Sequence, residues 1–159
     1  MIASNTKMKG TEWKGVLVVF LKRFRDHALE IRMLMVVQIE GILMQRRRDP
    51  IPTFCTKVED EMKGRLQDTE WKVRCRTVNE LCDVAAMDLK CISSSTLQSL
   101  GERMKDKNVV IRKEAMTGLA QIFASHSKEK TLRWIPEFIC KCFAYPEMEL
   151  KLRVMTLYG

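Results

Sequence analysis

Along this chain the large apolar residues recur at intervals of three, four and seven, and the whole arrangement repeats four times. Phe24, Leu66, Met104 and Tyr145 each stand two residues before an acid, Asp26, Asp68, Asp106 and Glu147. Six residues after each acid comes an arginine preceded by an aliphatic: Ile31-Arg32, Val73-Arg74, Ile111-Arg112 and Leu152-Arg153. Four residues beyond the arginine stand Val36, Val78, Met116 and Leu157; seven beyond it stand Ile39, Leu81 and Leu119; ten beyond it stand Ile42, Val84 and Ile122. Such spacings place side chains on one face of an α-helix. They predict helix pairs over 11–25 with 28–46, 56–67 with 70–89, 95–105 with 108–126, and 134–144 with 147–158. No alternating strand pattern of useful length occurs.

Local signals punctuate these pairs. Ser95-Thr96-Leu97-Gln98 has capping-box spacing. Asp49-Pro50-Ile51-Pro52, Ser93-Ser94-Ser95 and His126-Ser127-Lys128 separate successive units, and Pro146 suits a first helical turn. The ladder arginines are 42, 38 and 41 residues apart (Arg32, Arg74, Arg112, Arg153). A period near 40 residues with two helices per unit is the signature of HEAT or armadillo solenoids, in which each unit buries its apolar stripe against the next. The fold expected is therefore all-α: a solenoid of about four HEAT-type helix pairs, units about 11–46, 56–89, 95–126 and 134–158. Residues 1–10 read as a poorly ordered start, and 11–159 as part of a longer array. The recurring acid and arginine predict a ladder of pairs between neighbouring units. Leu152, Met155 and Leu157 have no following repeat to cover them, so the chain reads as a fragment or a truncated gene model.

Composition narrows the functional classes. With 28 Lys+Arg against 20 Asp+Glu the formal net charge is +8, and 46% hydrophobic residues suit a globular chain. The longest apolar run, Val16 to Leu21, falls far short of the roughly 20 residues of a membrane span. The N-terminus lacks a signal-peptide core, so a soluble intracellular protein is expected. Six cysteines (Cys55, Cys75, Cys82, Cys91, Cys140, Cys142) show no zinc-knuckle or redox spacing and read as reduced, mostly buried thiols. No metal or cofactor is expected. Phosphate loops, nucleophile elbows and zincin motifs are missing, so no catalytic residue is assigned and no enzyme is expected. Glu59-Asp60-Glu61 reads as a solvated helix face. The dense basic run Arg46-Arg47-Arg48 suits a helix C-terminus, or contact with phosphate or with another protein's acidic segment.

The third unit carries a family likeness. Glu102-Arg103-Met104-Lys105-Asp106-Lys107, followed by Val110-Ile111-Arg112-Lys113-Glu114-Ala115-Met116-Thr117-Gly118-Leu119-Ala120-Gln121-Ile122-Phe123, closely resembles the cohesin-associated sister-chromatid cohesion factors, the "precocious dissociation of sisters" family. Trp134-Ile135-Pro136 looks like the start of the next family helix. Trp13-Lys14 with Leu21, Phe24, Asp26 and Ile31-Arg32 resembles an earlier family repeat. Phe123 departs from the family's usual Tyr, and the Arg run within Met44 to Lys57 is unusual for it. The resemblance implies a nuclear, chromatin-associated HEAT scaffold without catalytic activity. It would bind cohesin through the kleisin subunit, and the factors that control release and acetylation. Candidate partner-binding residues are Arg46, Arg47, Arg48, Arg112 and Lys113. The alternative is a HEAT adaptor touching nucleic acid directly through its basic surface, for which +8 is permissive.

Overall fold

The computed structural model describes residues 10–44 and 52–142. All regular structure among them is helical: α1 (Gly10–Arg23), α2 (Leu29–Val37), α3 (Ile39–Met44), α4 (Pro52–Arg65), α5 (Trp71–Met87), α6 (Ser94–Glu102), α7 (Val109–Ser125) and α8 (Trp134–Cys142). Short 3-10 turns at Leu89–Cys91, Arg103–Lys105 and Lys130–Leu132 join them. The chain forms an all-α helical-repeat solenoid. The first helices α1, α4 and α6 touch in succession, the second helices α2–α3, α5 and α7 do likewise, and α5 packs along α7 for most of its length.

The apolar period explains why these segments are helical and where they face. Val36, Val78 and Met116 are buried, as are Ile39, Leu81 and Leu119 one turn on. Phe24, Leu66 and Met104 close the same core from the other layer. Each such side chain removed from water contributes about 1.5–3 kcal/mol, which a lone helix pair lacks the surface to collect. One pair therefore supports the next, and the core runs continuously from Phe24 to Cys142.

Helix ends depart from the sequence expectations in three places. The long second helix of the first unit is broken: Gln38 caps α2 with its N–H turned to Val36 O, and α3 follows. The β-branched pair Val36-Val37 and Gly41 weaken helix preference at this stretch. The first helix of the second unit starts four residues early, at Pro52, a residue suited to an N-terminal turn. The cap of α6 is Ser93, whose hydroxyl accepts Thr96 N–H at 3.3 Å, rather than Ser95. Residues 1–9, the Asp49-Pro50 break, Pro146 and the Glu147–Arg153 copy of the motif lie outside the described residues.

The acidic triplet needs a correction. Glu59 is only 3% exposed. Its carboxylate accepts Thr96 Oγ1–H at 2.5 Å and Ser93 N–H at 2.7 Å, so it fastens α4 to the start of α6. Glu61 accepts both Arg25 Nε and Nη2, at 2.8 and 2.7 Å, tying α4 back to the end of α1. Only Asp60 is an exposed member. Consecutive helical residues point about 100° apart, so a triplet in a middle layer meets one neighbour, solvent and the other neighbour in turn.

Two close approaches set the spacing between units. Gly118 of α7 sits against Cys82 of α5, where a Cβ would stand 2.7 Å from the Cys82 Cβ and overlap its sulfur. Gly101 of α6 faces the Trp134 ring, with 3.0 Å left for a Cβ. Trp134 in turn meets Phe138 edge-on at 6.1 Å, and Lys105 lies over the Phe138 ring at 5.0 Å. These contacts seat α8 on the third unit.

Candidate functional site

The recurring acid and arginine meet across units. Arg32 at the start of α2 donates from Nε to Asp68 Oδ2 at 3.0 Å and from Nη2 to Oδ1 at 3.2 Å. Arg74 of α5 repeats this with Asp106, at 3.0 and 3.1 Å. Each guanidinium spends its remaining nitrogen on its own inter-helix turn. Arg32 Nη1 donates to Asp26 O and His27 O, Arg74 Nη1 to Asp68 O and Thr69 O, and Arg112 Nη1 to Asp106 O and Lys107 O. The six-residue interval is thus a turn the arginine braces from inside while reaching outward to the next unit. A planar fork meets a carboxylate bidentately, a geometry lysine does not supply.

The carboxylates do double duty. Asp26, Asp68 and Asp106 each accept the backbone N–H two residues on (Ala28, Glu70, Asn108) at 2.9–3.0 Å, forming the same side-chain turn before α2, α5 and α7. A second arginine also reaches each acid from three residues earlier: Arg23 to Asp26 at 2.9 Å, Arg65 to Asp68 at 2.7 Å and Arg103 to Asp106 at 3.3 Å. Reading the sequence only for the main repeat misses this set, although its members share one spacing. Ala144 occupies the matching place before Glu147 and breaks the series.

These contacts fix how the acids titrate. Burial works to raise the Asp106 carboxyl, but hydrogen bonds from Arg74 and Asn108 N–H and the charges of Arg74 and Arg103 hold it below the ordinary value of 3.8. Asp26 is lowered by the Ala28 N–H and by Arg23. Glu80 goes the other way: burial raises it, against the opposing pull of Arg76. A depressed folded-state pKa contributes stability that is full above the unfolded value and is lost as pH falls through the folded one; a raised carboxyl does the reverse. Stability should therefore drop on acidification below the ordinary aspartate range. The Asp106→Asn variant should show a flatter drop and Glu80→Gln a steeper one, read from urea midpoints measured between about pH 6 and pH 3. Parallel curves for all three proteins would refute this account.

The ladder leaves less free charge than composition suggests. Arg32 and Arg74 are buried. Of the candidate contact residues, Arg112 and Lys113 sit together at the start of α7, both half-buried, and Arg112 braces the turn as above. Arg46, Arg47 and Arg48 lie outside the described residues. The start of α5 exposes Trp71, followed by the exposed Lys72, and the start of α7 exposes Val109 and Val110, just after the exposed Lys107. A periodicity argument does not single out these apolar positions, because it reports only the face shared with the core. At the other ends of α5 and α7 an open groove of about 610 Å³ is lined by Met44, Met87, Lys90, Leu97, His126 and Glu129. His126 there is engaged with Ala85 O at 2.9 Å. Among the described residues no three His, Cys, Asp or Glu side chains gather to hold a metal. None of the six cysteines forms a disulfide, and burial pushes the Cys75, Cys82 and Cys142 thiols up, away from nucleophilic thiolate. No helix among the described residues is long and apolar enough to cross a membrane.

Comparison with known proteins places this geometry. A family model described as "Sister chromatid cohesion protein PDS5 protein" matches residues 1–157. The chain is 27% identical over 139 residues to the Arabidopsis thaliana sister chromatid cohesion protein PDS5 homolog A, covering 82% of this chain and 8% of that protein. It is 28% identical over 148 residues to the Danio rerio homolog A, covering 88% and 11%. It is 26% identical over 148 residues to the Gallus gallus homolog B, covering 88% and 10%. The chain thus spans about a tenth of the length of these curated relatives.

Proposed function

The chain belongs to the sister chromatid cohesion protein PDS5 family, and on that premise we propose that it is a non-catalytic scaffold segment of nuclear, chromatin-associated sister chromatid cohesion. It binds the cohesin complex through the kleisin subunit and through factors governing release and acetylation. The observation that carries this reading is the family match along nearly the whole chain, on a helical stack whose units are joined by the buried Arg32–Asp68 and Arg74–Asp106 pairs. Contact with the partner runs through Arg112 and Lys113 and through Arg46 to Arg48. The direct nucleic-acid alternative is disfavoured by the burial of Arg32 and Arg74, which removes two cations from any phosphate-binding surface.

Affinity capture from nuclear extract with the full chain tests the reading. Cohesin subunits are the expected recovery, and Lys113→Glu should lower it about tenfold, the effect of roughly 1.4 kcal/mol at a charged contact. Capture of no cohesin subunit overturns the proposal. Duplex DNA binding that falls steeply with salt, without cohesin recovery, would replace it by the nucleic-acid reading.

A further inference from the structure

The inter-helix turns of the three units lie side by side along one edge of the stack. Arg74 touches two of them at once, donating to Asp68 O and Thr69 O in its own turn and to the Asp106 carboxylate in the next. Arg32 joins the first turn to the second in the same way. The residue that opens the helix after each turn stands three before the ladder arginine, and it is large and apolar in every copy: Leu29, Trp71 and Val109. Leu29 is half-buried, but Trp71 is 41% and Val109 53% exposed, with Val110 beside it at 41%. Trp71 belongs to the middle unit and has a described unit on either side, so its place on the edge sets its exposure.

The core does not use these positions: Val73 and Ile111, two residues on, are the ones that turn inward and are fully buried. Exposed apolar side chains grouped within a polar rim mark an interaction surface. Here the rim carries an excess of positive charge. Lys72, Lys107, Arg112 and Lys113 stand beside the row, against Glu70 and Glu114, while the turn acids Asp68 and Asp106 are already held by arginines. The spacing narrows what fits. Packed helices lie about 8–10 Å apart, and an extended polyproline-type segment returns every third side chain to one side at about 9 Å.

We propose that this edge binds an extended acidic segment of a partner protein, laid across the turns with an apolar side chain at every third position on Trp71 and Val109 and carboxylates between them facing Lys72 and Lys107. The tryptophan is the anchor, as exposed aromatic residues are at protein interfaces. The lysines set the sign of the partner's charge and steer its approach. A nucleic-acid strand would meet the same cations, but the aliphatic Val109 and Val110 offer no ring on which a base can stack. This goes beyond the scaffold reading, because it fixes the chemistry of the bound segment whichever protein supplies it.

A peptide of three joined copies of Phe-Asp-Glu is the probe, titrated into the full chain and followed by calorimetry and tryptophan fluorescence. Saturable binding that weakens as salt rises is the expected result. Trp71→Ala should weaken it about tenfold and Lys72→Glu about fivefold. Circular dichroism should stay that of the parent chain, since both side chains are exposed. A peptide of the same composition with its three phenylalanines adjacent should bind about tenfold more weakly, because its apolar part spans one unit only. Lysine in place of every acid should abolish binding. No saturable binding overturns the proposal, as does binding that Trp71→Ala leaves unchanged or that the rearranged peptide matches. Binding of a short DNA duplex that Lys72→Glu lowers and Trp71→Ala does not, in place of peptide binding, overturns it and assigns the edge to phosphate.

Discussion

Replacing Arg74 by alanine is expected to cost about 3–5 kcal/mol, the loss typical when one member of a buried ion pair is removed and the other stays behind. The Arg74 side chain is 5% exposed and that of Asp106 3%. The variant strands a carboxylate that retains Arg103 and the Asn108 N–H, and it leaves the carbonyls of Asp68 and Thr69 without their shared donor. Against a total stability of about 5–15 kcal/mol for an ordinary domain this is a large fraction. Arg74→Lys should recover only part of it, since an ammonium cannot hold both carboxylate oxygens and both turn carbonyls. Urea unfolding followed by circular dichroism measures the loss. Because solenoid units couple only to neighbours, hydrogen exchange should rise most in α7 and the turn before it. A loss below about 1 kcal/mol would show that the pair is dispensable.

The second large effect has an unexpected sign. Glycine within a helix interior is ordinarily about 1 kcal/mol worse than alanine, so Gly118→Ala should stabilise if α7 stood alone. Here the new Cβ overlaps the Cys82 sulfur and stands 2.7 Å from its Cβ; the sulfur can rotate about χ1, but the Cβ is fixed by the backbone and cannot swing away. Overpacking of this kind typically costs about 1–3 kcal/mol. The expected outcome is a net loss, with α5 and α7 forced apart. Combining it with Cys82→Ala should return part of that loss, giving a coupling of about 0.5 kcal/mol or more, as contacting residues do. A stabilised Gly118→Ala protein would mean that the two helices are not held at this distance.

Much of the fold was readable before any coordinates, and particular residues show why. Burial at Val36, Val78 and Met116 follows from a period that is local to each helix and needs no knowledge of the neighbour. The pairing of Arg32 with Asp68 and of Arg74 with Asp106 was legible for a different reason. Repetition lets one unit stand as the template for the next, so a residue found at fixed phase in every copy must do something between copies. Gly118 was visible as part of a family-like string, but the reason for a glycine there, the approach of Cys82, belongs to two helices at once.

Charge placement was the least legible. Glu59 and Glu61 look like solvent-facing acids until α6 lies on one side of α4 and the end of α1 on the other. Arg65 and Arg103 look like ordinary helix-end cations until each is found sharing an acid with a ladder arginine. The exposure of Val16 at a position buried in the other units is likewise a property of neighbours. Sequence alone determined the helices, their inward faces and the register of the ladder, because hydrophobic period and repeat phase act within a unit or identically in each. Only the tertiary structure decided which acids are buried, which arginines are spent and which face stays open, because the energy of a charge or an apolar side chain depends on what the next layer sets against it.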